Sequence, residues 1–600
     1  MTLDILNESL AEFSQKKREN IFAFATALMN WMQIEPVARE KPPLLTHQTQ
    51  KLLAYLVPAP YTVQPQLYRL SNDKEHIMVR LAVLKKLKKD YIVELVDKDP
   101  GGGSFQAAMR GIINLPDREP YIATQPYFIH FVTTNTYDSL WVIINQGDQK
   151  RIIQFKERLS NTQFNKILPQ WKNIGKKSKT EVAECIWKSL DVKEVNKDFY
   201  KHIKERFDAA IGIAKLQYPN AQEQDIKQFV VRLIGRYIFC WFLKEKEIIP
   251  SSLLSSATIR KYQHHYFQTY LSHLYFNTLN EEVQSRKAIE TKSELDSLFL
   301  NIPYLNGGLF DKHPEDELFD KIDLNAWLIN FVEVLESFDF TVDESSSQYQ
   351  LVAIDPEMLG RIFENLLASQ NQETEKLANQ RKAFGAFYTP REIVDYMVNE
   401  SLKAHLETHL LPTEEVDNSS LNEPLVTYKG TLFAQLEPQQ TQINLNSASN
   451  FDKERKREKL KAKIEKLFAP DCLVNPFDKN ESQLVRKALS EVKVLDPACG
   501  SGAFPMGMLL RLMELRQIVG HGHKNNYELK NEILSKNIFG VDIMPMAVEI
   551  SRLRAWLSLV LEADYKPTDR KNNFGVSALP NLDFKFVCAN SLIDSGYDTF

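Results

Sequence analysis

Residues 492–515, VKVLDPACGSGAFPMGMLLRLMEL, decide how the C-terminal part of this chain folds. Val492, Val494 and Leu495 suit a short buried parallel strand. Asp496-Pro497 ends it, Gly500-Ser501-Gly502 reads as a tight turn, and Met506 to Leu515 is a helical run. Strand, glycine turn and helix form the first unit of a doubly wound α/β sheet. Glycines matter there because a ligand can approach the backbone only where no Cβ intervenes. The helix N-terminus offers unsatisfied N–H groups to a carboxylate. The strand-end acid, Asp496, can accept from an ammonium group. A ligand carrying both groups is an amino acid or is built on one. A dinucleotide fingerprint would need glycine where Pro505 stands.

Working outward, residues 537–543 (NIFGVDI) read as a second short strand ending at Asp542, 46 residues after Asp496. An acid at that place can take both hydroxyls of a ribose. Residues 546–561 form a helix whose Val548, Leu553, Trp556, Leu557 and Val560 can cover the sheet. A third strand, Phe584 to Cys588, leads into Ala589-Asn590-Ser591-Leu592. A side-chain amide such as Asn590 both donates and accepts, matching an adenine edge. Amino acid, ribose and adenine together describe S-adenosylmethionine. Its expected contacts are Asp496, Pro497, Ala498, Gly500, Ser501, Gly502, Asp542, Ile543, Asn590 and Ser591. Taken singly, Asp542 or Asn590 would serve equally as a helix cap or a turn former. Their ordered succession at strand ends and helix starts favours the ligand. Cys499 and Cys588 read as small packing residues.

In order and spacing these motifs resemble the N6-adenine DNA methyltransferases of the Eco57I restriction-modification type. The resemblance extends upstream to Gly385-Ala386-Phe387-Tyr388-Thr389-Pro390, similar to that family's cofactor-clamping element, and to residues 355–367, DPEMLGRIFENLL. It implies a class I, Rossmann-like methyltransferase domain, with Tyr388, Thr389 and Pro390 around the methionine end of the cofactor. It also implies methyl transfer to adenine in double-stranded DNA, within a bacterial restriction-modification or phage-defence system. In that family an Asn-Pro-Pro-Tyr element ending the fourth strand accepts the amine hydrogens and stacks on the flipped base.

No Asn-Pro-Pro occurs among the 600 residues, so no residue here is assigned to catalysis. The expectation is therefore an incomplete sheet with an open edge and a chain that transfers no methyl group alone. A second chain, or a longer product, would carry the Asn-Pro-Pro-Tyr motif and the target-recognition domain. A truncated product that binds cofactor or DNA without turnover is the second reading; an Asn-Pro-Pro-Tyr encoded soon after codon 600 would decide against it. A methyltransferase acting on protein or small molecules shares the cofactor strands, but Phe387-Tyr388-Thr389-Pro390 argues against it.

The rest of the chain divides less sharply. Residues 1–205 read as a mixed α+β domain of unassigned role, with strand-like runs at 121–131 and 139–145. Residues 206–380 read as a helical connector, in which Asp355-Pro356-Glu357 starts a helix bearing Leu359, Ile362, Phe363 and Leu366 on one face. Residues 381–600 form the cofactor-binding domain, with an insertion at about 410–490 that includes the Gln/Asn/Ser-rich stretch 435–450. The charged run Lys453 to Leu467 and the cluster Lys85 to Lys89 read as solvated surface, the former as a helix with internal ion pairs. A fused nuclease would need an acid followed by E-x-K on the next strand. Asp148 with Gln154-Phe155-Lys156 matches that poorly. The five cysteines lack a CxxC pair, so neither a disulfide framework nor a metal site is expected, and a cytoplasmic setting fits. The N-terminus lacks a signal-peptide pattern, and no apolar run reaches membrane length. A net charge of −4 neither supports nor excludes a local DNA-binding face.

Overall fold

The structure is a computed structural model. It describes residues 3–36, 66–70, 76–84, 128–134, 139–146, 149–177, 179–286, 294–305, 308–341, 349–356, 358, 360, 362, 389, 391–410, 446–469, 472, 474–520 and 525–592. Lys85 to Lys89, Asp148, Tyr388, Pro390, Phe363 and Leu366 lie outside the described residues. Among those described, no helix is long and apolar enough to cross a membrane.

The N-terminal part is built on a seven-stranded mixed sheet that runs in chain order. Its strands are β1 (Ile34–Pro36), β2 (Gln66–Leu70), β3 (His76–Leu84), β4 (Phe128–Thr134), β5 (Leu140–Gln146), β6 (Gln149–Phe155) and β7 (Tyr349–Leu351). The last returns from far downstream to pair in parallel with β6. Helices α1 (Leu3–Ala11) and α2 (Arg18–Met32) bury apolar residues against the sheet, Phe24 lying 5.2 Å from the Phe155 ring. The strand-like run at 121–131 thus supplies β4 only from Phe128 onward among the described residues.

Helices α3 (Lys179–Ser189), α4 (Val192–Gln217), α5 (Glu223–Glu245) and α6 (Asn325–Glu336) form the helical part. Val195, Phe199, Ile203, Phe207, Ala210 and Ala214 give α4 one buried stripe along its length. The expected boundary at 205 falls inside that continuous stripe, where no local break ends the helix. Helix α5 is buried on all sides from Phe229 to Leu243, so it is the central helix of this region. The helix start at Asp355 is as expected, its Oδ1 accepting the Met358 N–H at 3.0 Å. Met358 and Ile362 are buried.

Helices α7 (Arg391–Leu410), α8 (Asn446–Phe468) and α9 (Lys479–Glu491) precede the second sheet. Strands β8 (Val494–Asp496), β9 (Ile538–Asp542) and β10 (Phe586–Cys588) are all parallel, in the order β10-β9-β8. Helices α10 (Ala503–Val519) and α11 (Asn526–Lys536) cross from β8 to β9, and α12 (Pro545–Val560) crosses to β10. Parallel pairing puts the ends of the three strands, Asp496, Asp542 and Cys588, at one edge. Strand β10 is shorter than expected because Phe584 sits in the preceding turn, 86% exposed.

Among the described residues the chain is helix-rich, with two sheets. Residues 411–445 are outside the described residues, but α8 and α9 bury Ile464, Leu467, Phe468, Val485 and Leu489. The charged helix α8 makes ion pairs with its neighbours: Lys463 to Glu481, Glu465 to Lys403, and Lys461 to Glu407.

Candidate functional site

Strand β8 ends at Asp496, and the chain then turns through Pro497–Gly502 into α10. The turn requires its glycines: φ is +52° at Gly500 and +84° at Gly502, where a Cβ is strained. A Cβ on Gly502 would also lie 3.0 Å from Ser551 Oγ. A Cβ on Gly500 would meet nothing within 4 Å, so this glycine faces open space. The turn is tied down by Gly502 N–H to the Cys499 carbonyl at 2.8 Å and by Cys499 N–H to the Val541 carbonyl at 2.9 Å.

Asp496 accepts the Ala498 N–H on Oδ1 at 3.1 Å. Its other oxygen, Oδ2, is buried and has no hydrogen-bond partner. Burial pushes the carboxyl above the usual aspartate range; the neighbouring charge of Asp542 adds to this, while the Ala498 N–H opposes it. A buried acceptor without a donor costs about 1–3 kcal/mol. A donor from outside the chain, such as an ammonium group, would satisfy this oxygen.

Asp542 sits across the turn. Its Oδ2 accepts the Gly500 N–H at 2.8 Å and its Oδ1 the Met544 N–H at 2.8 Å, so it ties the first turn to the start of α12. Ile543, next along, is 58% exposed. The third strand end joins the others through Ala589 N–H to the Asp542 carbonyl at 3.0 Å and Ser591 Oγ to the Pro497 carbonyl at 2.8 Å. Asn590 is exposed, its Oδ1 accepting the Leu592 N–H at 3.0 Å. Asp496, Pro497, Ala498, Gly500, Ser501, Gly502, Asp542, Ile543, Asn590 and Ser591 are therefore brought to one place. Thr389 is half-buried ahead of α7, and its neighbours Tyr388 and Pro390 are outside the described residues.

Beside Asp496 and Pro497 lies an apolar groove of about 250 Å³ between α7 and the β8 edge, lined among others by Met397, Ser401, Leu495, Phe504 and Met508. Cys499 is buried against Gly540, where an added Cβ would lie 2.9 Å from its Sγ. Burial pushes its thiol up to about 12, which leaves it a packing residue. Cys588 is exposed. Lys156, the cationic member of the weak nuclease triplet, pairs with Glu245 at 3.0 Å.

Two residues of the turn's support escape a sequence reading. Ser551 donates to the Gly500 carbonyl at 2.8 Å and Arg554 to the Ser501 carbonyl at 2.8 Å. The available signal was two polar residues three apart, Ser551 and Arg554, among the apolar positions that α12 buries.

Residues 475–593 match the family model described as the MmeI DNA-methyltransferase domain. Over 431 residues, 69% of this chain, the sequence is 28% identical to RM.MjaORFECS2P of Methanocaldococcus jannaschii, named a type II restriction enzyme and methyltransferase. Over 145 residues, 21% of the chain, it is 32% identical to RM.Eco57I of Escherichia coli, a type II restriction enzyme and methyltransferase. The matches span 31% and 14% of the lengths of those two relatives. Among solved structures, the type IIL restriction-modification enzyme MmeI in complex with DNA superposes at a TM-score of 0.35 and 17% identity, over 66% of this chain and 40% of that one. The DrdV–DNA complex superposes at a TM-score of 0.28 and 9% identity, over 99% and 40%. Residues 475–593 are thus similar to a restriction-modification methyltransferase domain, and longer stretches of the chain are similar to type II restriction enzymes and methyltransferases.

Proposed function

We propose that the ends of β8, β9 and β10 hold S-adenosylmethionine, and that the chain is the cofactor-binding part of a DNA adenine-N6 methyltransferase. The setting is a bacterial restriction-modification or phage-defence system in the cytoplasm. The observation that carries this reading is the buried, unpartnered Oδ2 of Asp496 beside a glycine turn whose Gly500 faces open space. Asp496 takes the ammonium group, and the N-terminal end of α10 favours the carboxylate. Asp542 already accepts two backbone N–H groups, and each oxygen keeps a lone pair for a ribose hydroxyl. Ile543 offers apolar surface to the adenine, with Asn590 and Ser591 at its border. By the family resemblance, the methionine end would be met by Tyr388, Thr389 and Pro390.

When bound, the cofactor supplies an electrophilic methyl group on a sulfonium; the residues here bind and orient it. The class I, doubly wound architecture is part of the same proposal, supported by the parallel β10-β9-β8 order and its helical crossovers. Double-stranded DNA would be met together with a segment bearing Asn-Pro-Pro-Tyr and a target-recognition domain.

Isothermal titration of the chain with S-adenosylmethionine tests the reading. Binding is expected, weakened at least about tenfold, or 1.4 kcal/mol, by Asp496→Ala. No heat above dilution for the unaltered chain, or equal affinity for the variant, would sink it. Labelled-methyl transfer to adenine, assayed with an Asn-Pro-Pro-Tyr segment supplied, tests the acceptor.

A further inference from the structure

Helix α12 supports the glycine turn from beneath. Its Ser551 hydroxyl donates to the Gly500 carbonyl and, one helical turn on, Arg554 Nη1 donates to the Ser501 carbonyl, each at 2.8 Å. Arg554 is only 5% exposed. A buried guanidinium thus reaches a backbone oxygen at the mouth of the candidate site. That oxygen shares its peptide plane with the Gly502 N–H, so Arg554 orients the plane that opens α10.

Gly360 lies against the same contact. A Cβ on Gly360 would lie 2.7 Å from Arg554 Nη1, 3.1 Å from Arg554 Cζ and 3.1 Å from Ser501 Oγ. Such a Cβ cannot coexist with the guanidinium where it stands. The end of an arginine side chain can swing aside, and the Nη1 that would have to move is the atom that donates to the Ser501 carbonyl. On another side of α12, Glu549 accepts from Arg232 of α5 at 2.9 Å, which fixes the helix against the helical region. Gly360 and Arg554 therefore join segments far apart in sequence at one peptide of the turn.

Resting on the reading of this turn as the S-adenosylmethionine site, we propose that Arg554 is a positioning residue for the cofactor, and that position 360 must be glycine so that Arg554 can hold the Ser501 carbonyl. Arg554 acts through the turn and not on the ligand. Gly360 acts through Arg554.

The test uses the full chain with Arg554→Met, Arg554→Lys, Gly360→Ala and the Gly360→Ala/Arg554→Met pair, read in two ways. Hydrogen exchange without ligand follows the peptide spanning 496–506, and titration follows S-adenosylmethionine affinity. Arg554→Met keeps the length but removes the donors. It is expected to speed exchange in that peptide and weaken the cofactor by about tenfold, the scale of one charged hydrogen bond. Arg554→Lys recovers part of both. Gly360→Ala reproduces the loss with Arg554 present, and the pair is no worse than Arg554→Met alone, because the flexible methionine leaves room for the Cβ.

Unchanged exchange and affinity in Arg554→Met would overturn the proposal, as would losses that multiply in the pair. Should Arg554→Met fail to melt cooperatively, Arg554→Lys and Gly360→Ala carry the decision, and normal behaviour of Gly360→Ala overturns it. If the unaltered chain binds no cofactor, the functional reading fails, while the exchange measurement still decides whether Arg554 and Gly360 fix the turn.

Discussion

Asp496 combines a buried oxygen without a donor and a carboxyl held above its ordinary range, chiefly by that burial. The sign of its pH effect follows. Only the ionised form accepts fully from an ammonium, and a raised value means protonation begins at higher pH than for an exposed aspartate. Affinity for S-adenosylmethionine is therefore expected to fall as pH drops toward the ordinary aspartate range, beginning above it, and Asp496→Asn is expected to bind weakly with a flatter profile. Titrations across that window check this; a pH-independent affinity for the unaltered chain would count against the assigned role. In the ligand-free chain the linked stability term is present below the ordinary aspartate range and is lost as pH rises through the raised value. The two acids were legible in the sequence because strand ends in a βαβ pattern fix which residue stands at the sheet edge. What Asp542 grips was not legible. Spacing places its carboxylate, but only folding shows that the Gly500 and Met544 N–H groups meet it.

At the scale of the element, the turn between β8 and α10 separates two glycine requirements. Gly502 lacks space: at φ +84° an alanine is strained, and its Cβ crowds Ser551 Oγ at 3.0 Å. Gly502→Ala should destabilise the fold by about 1–3 kcal/mol as well as weaken binding. Gly500 has room, so Gly500→Ala should cost the fold only about 1 kcal/mol for its left-handed backbone. Its Cβ would stand where the ligand approaches, so affinity should fall further than stability does. Urea unfolding set beside titration gives the comparison, and a Gly500→Ala chain that binds normally would move the ligand away from this turn. The strand–turn–helix order was legible from composition because glycine, proline and apolar spacing are local signals. The packing of α8 was hidden. Ile464, Leu467 and Phe468 stand at helical spacing within a run of lysine, arginine and glutamate, and that run reads as solvated until neighbouring helices supply its partners.

At the scale of the molecule, the helical region is joined to the part bearing the parallel strands β8–β10 by contacts that no local pattern announces, because the partners lie dozens to hundreds of residues apart. Arg232 of α5 spans Glu315 and Glu549, at 3.1 and 2.9 Å. Asn573 exchanges hydrogen bonds with the Tyr304 backbone at 2.7 Å each way, and Leu579 N–H donates to the Leu305 carbonyl at 2.7 Å. Beneath these contacts Arg236, fully buried, pairs with the equally buried Asp316 at 2.8 Å and donates to the Leu309 and Asp311 carbonyls. That guanidinium holds the 309–316 loop in the place from which Glu315 reaches Arg232. Asp316→Ala strands the Arg236 charge and should cost about 3–5 kcal/mol, the usual penalty for breaking a buried pair from one side. If the region acts as one unit with α12, faster hydrogen exchange should follow not only in α5 and the 309–316 loop but also in α12, along the Arg232–Glu549 link. Exchange confined to α5 and the loop would instead mean that α12 keeps its place without them, and that the glycine turn is held by α12 and the parallel strands independently of the helical region.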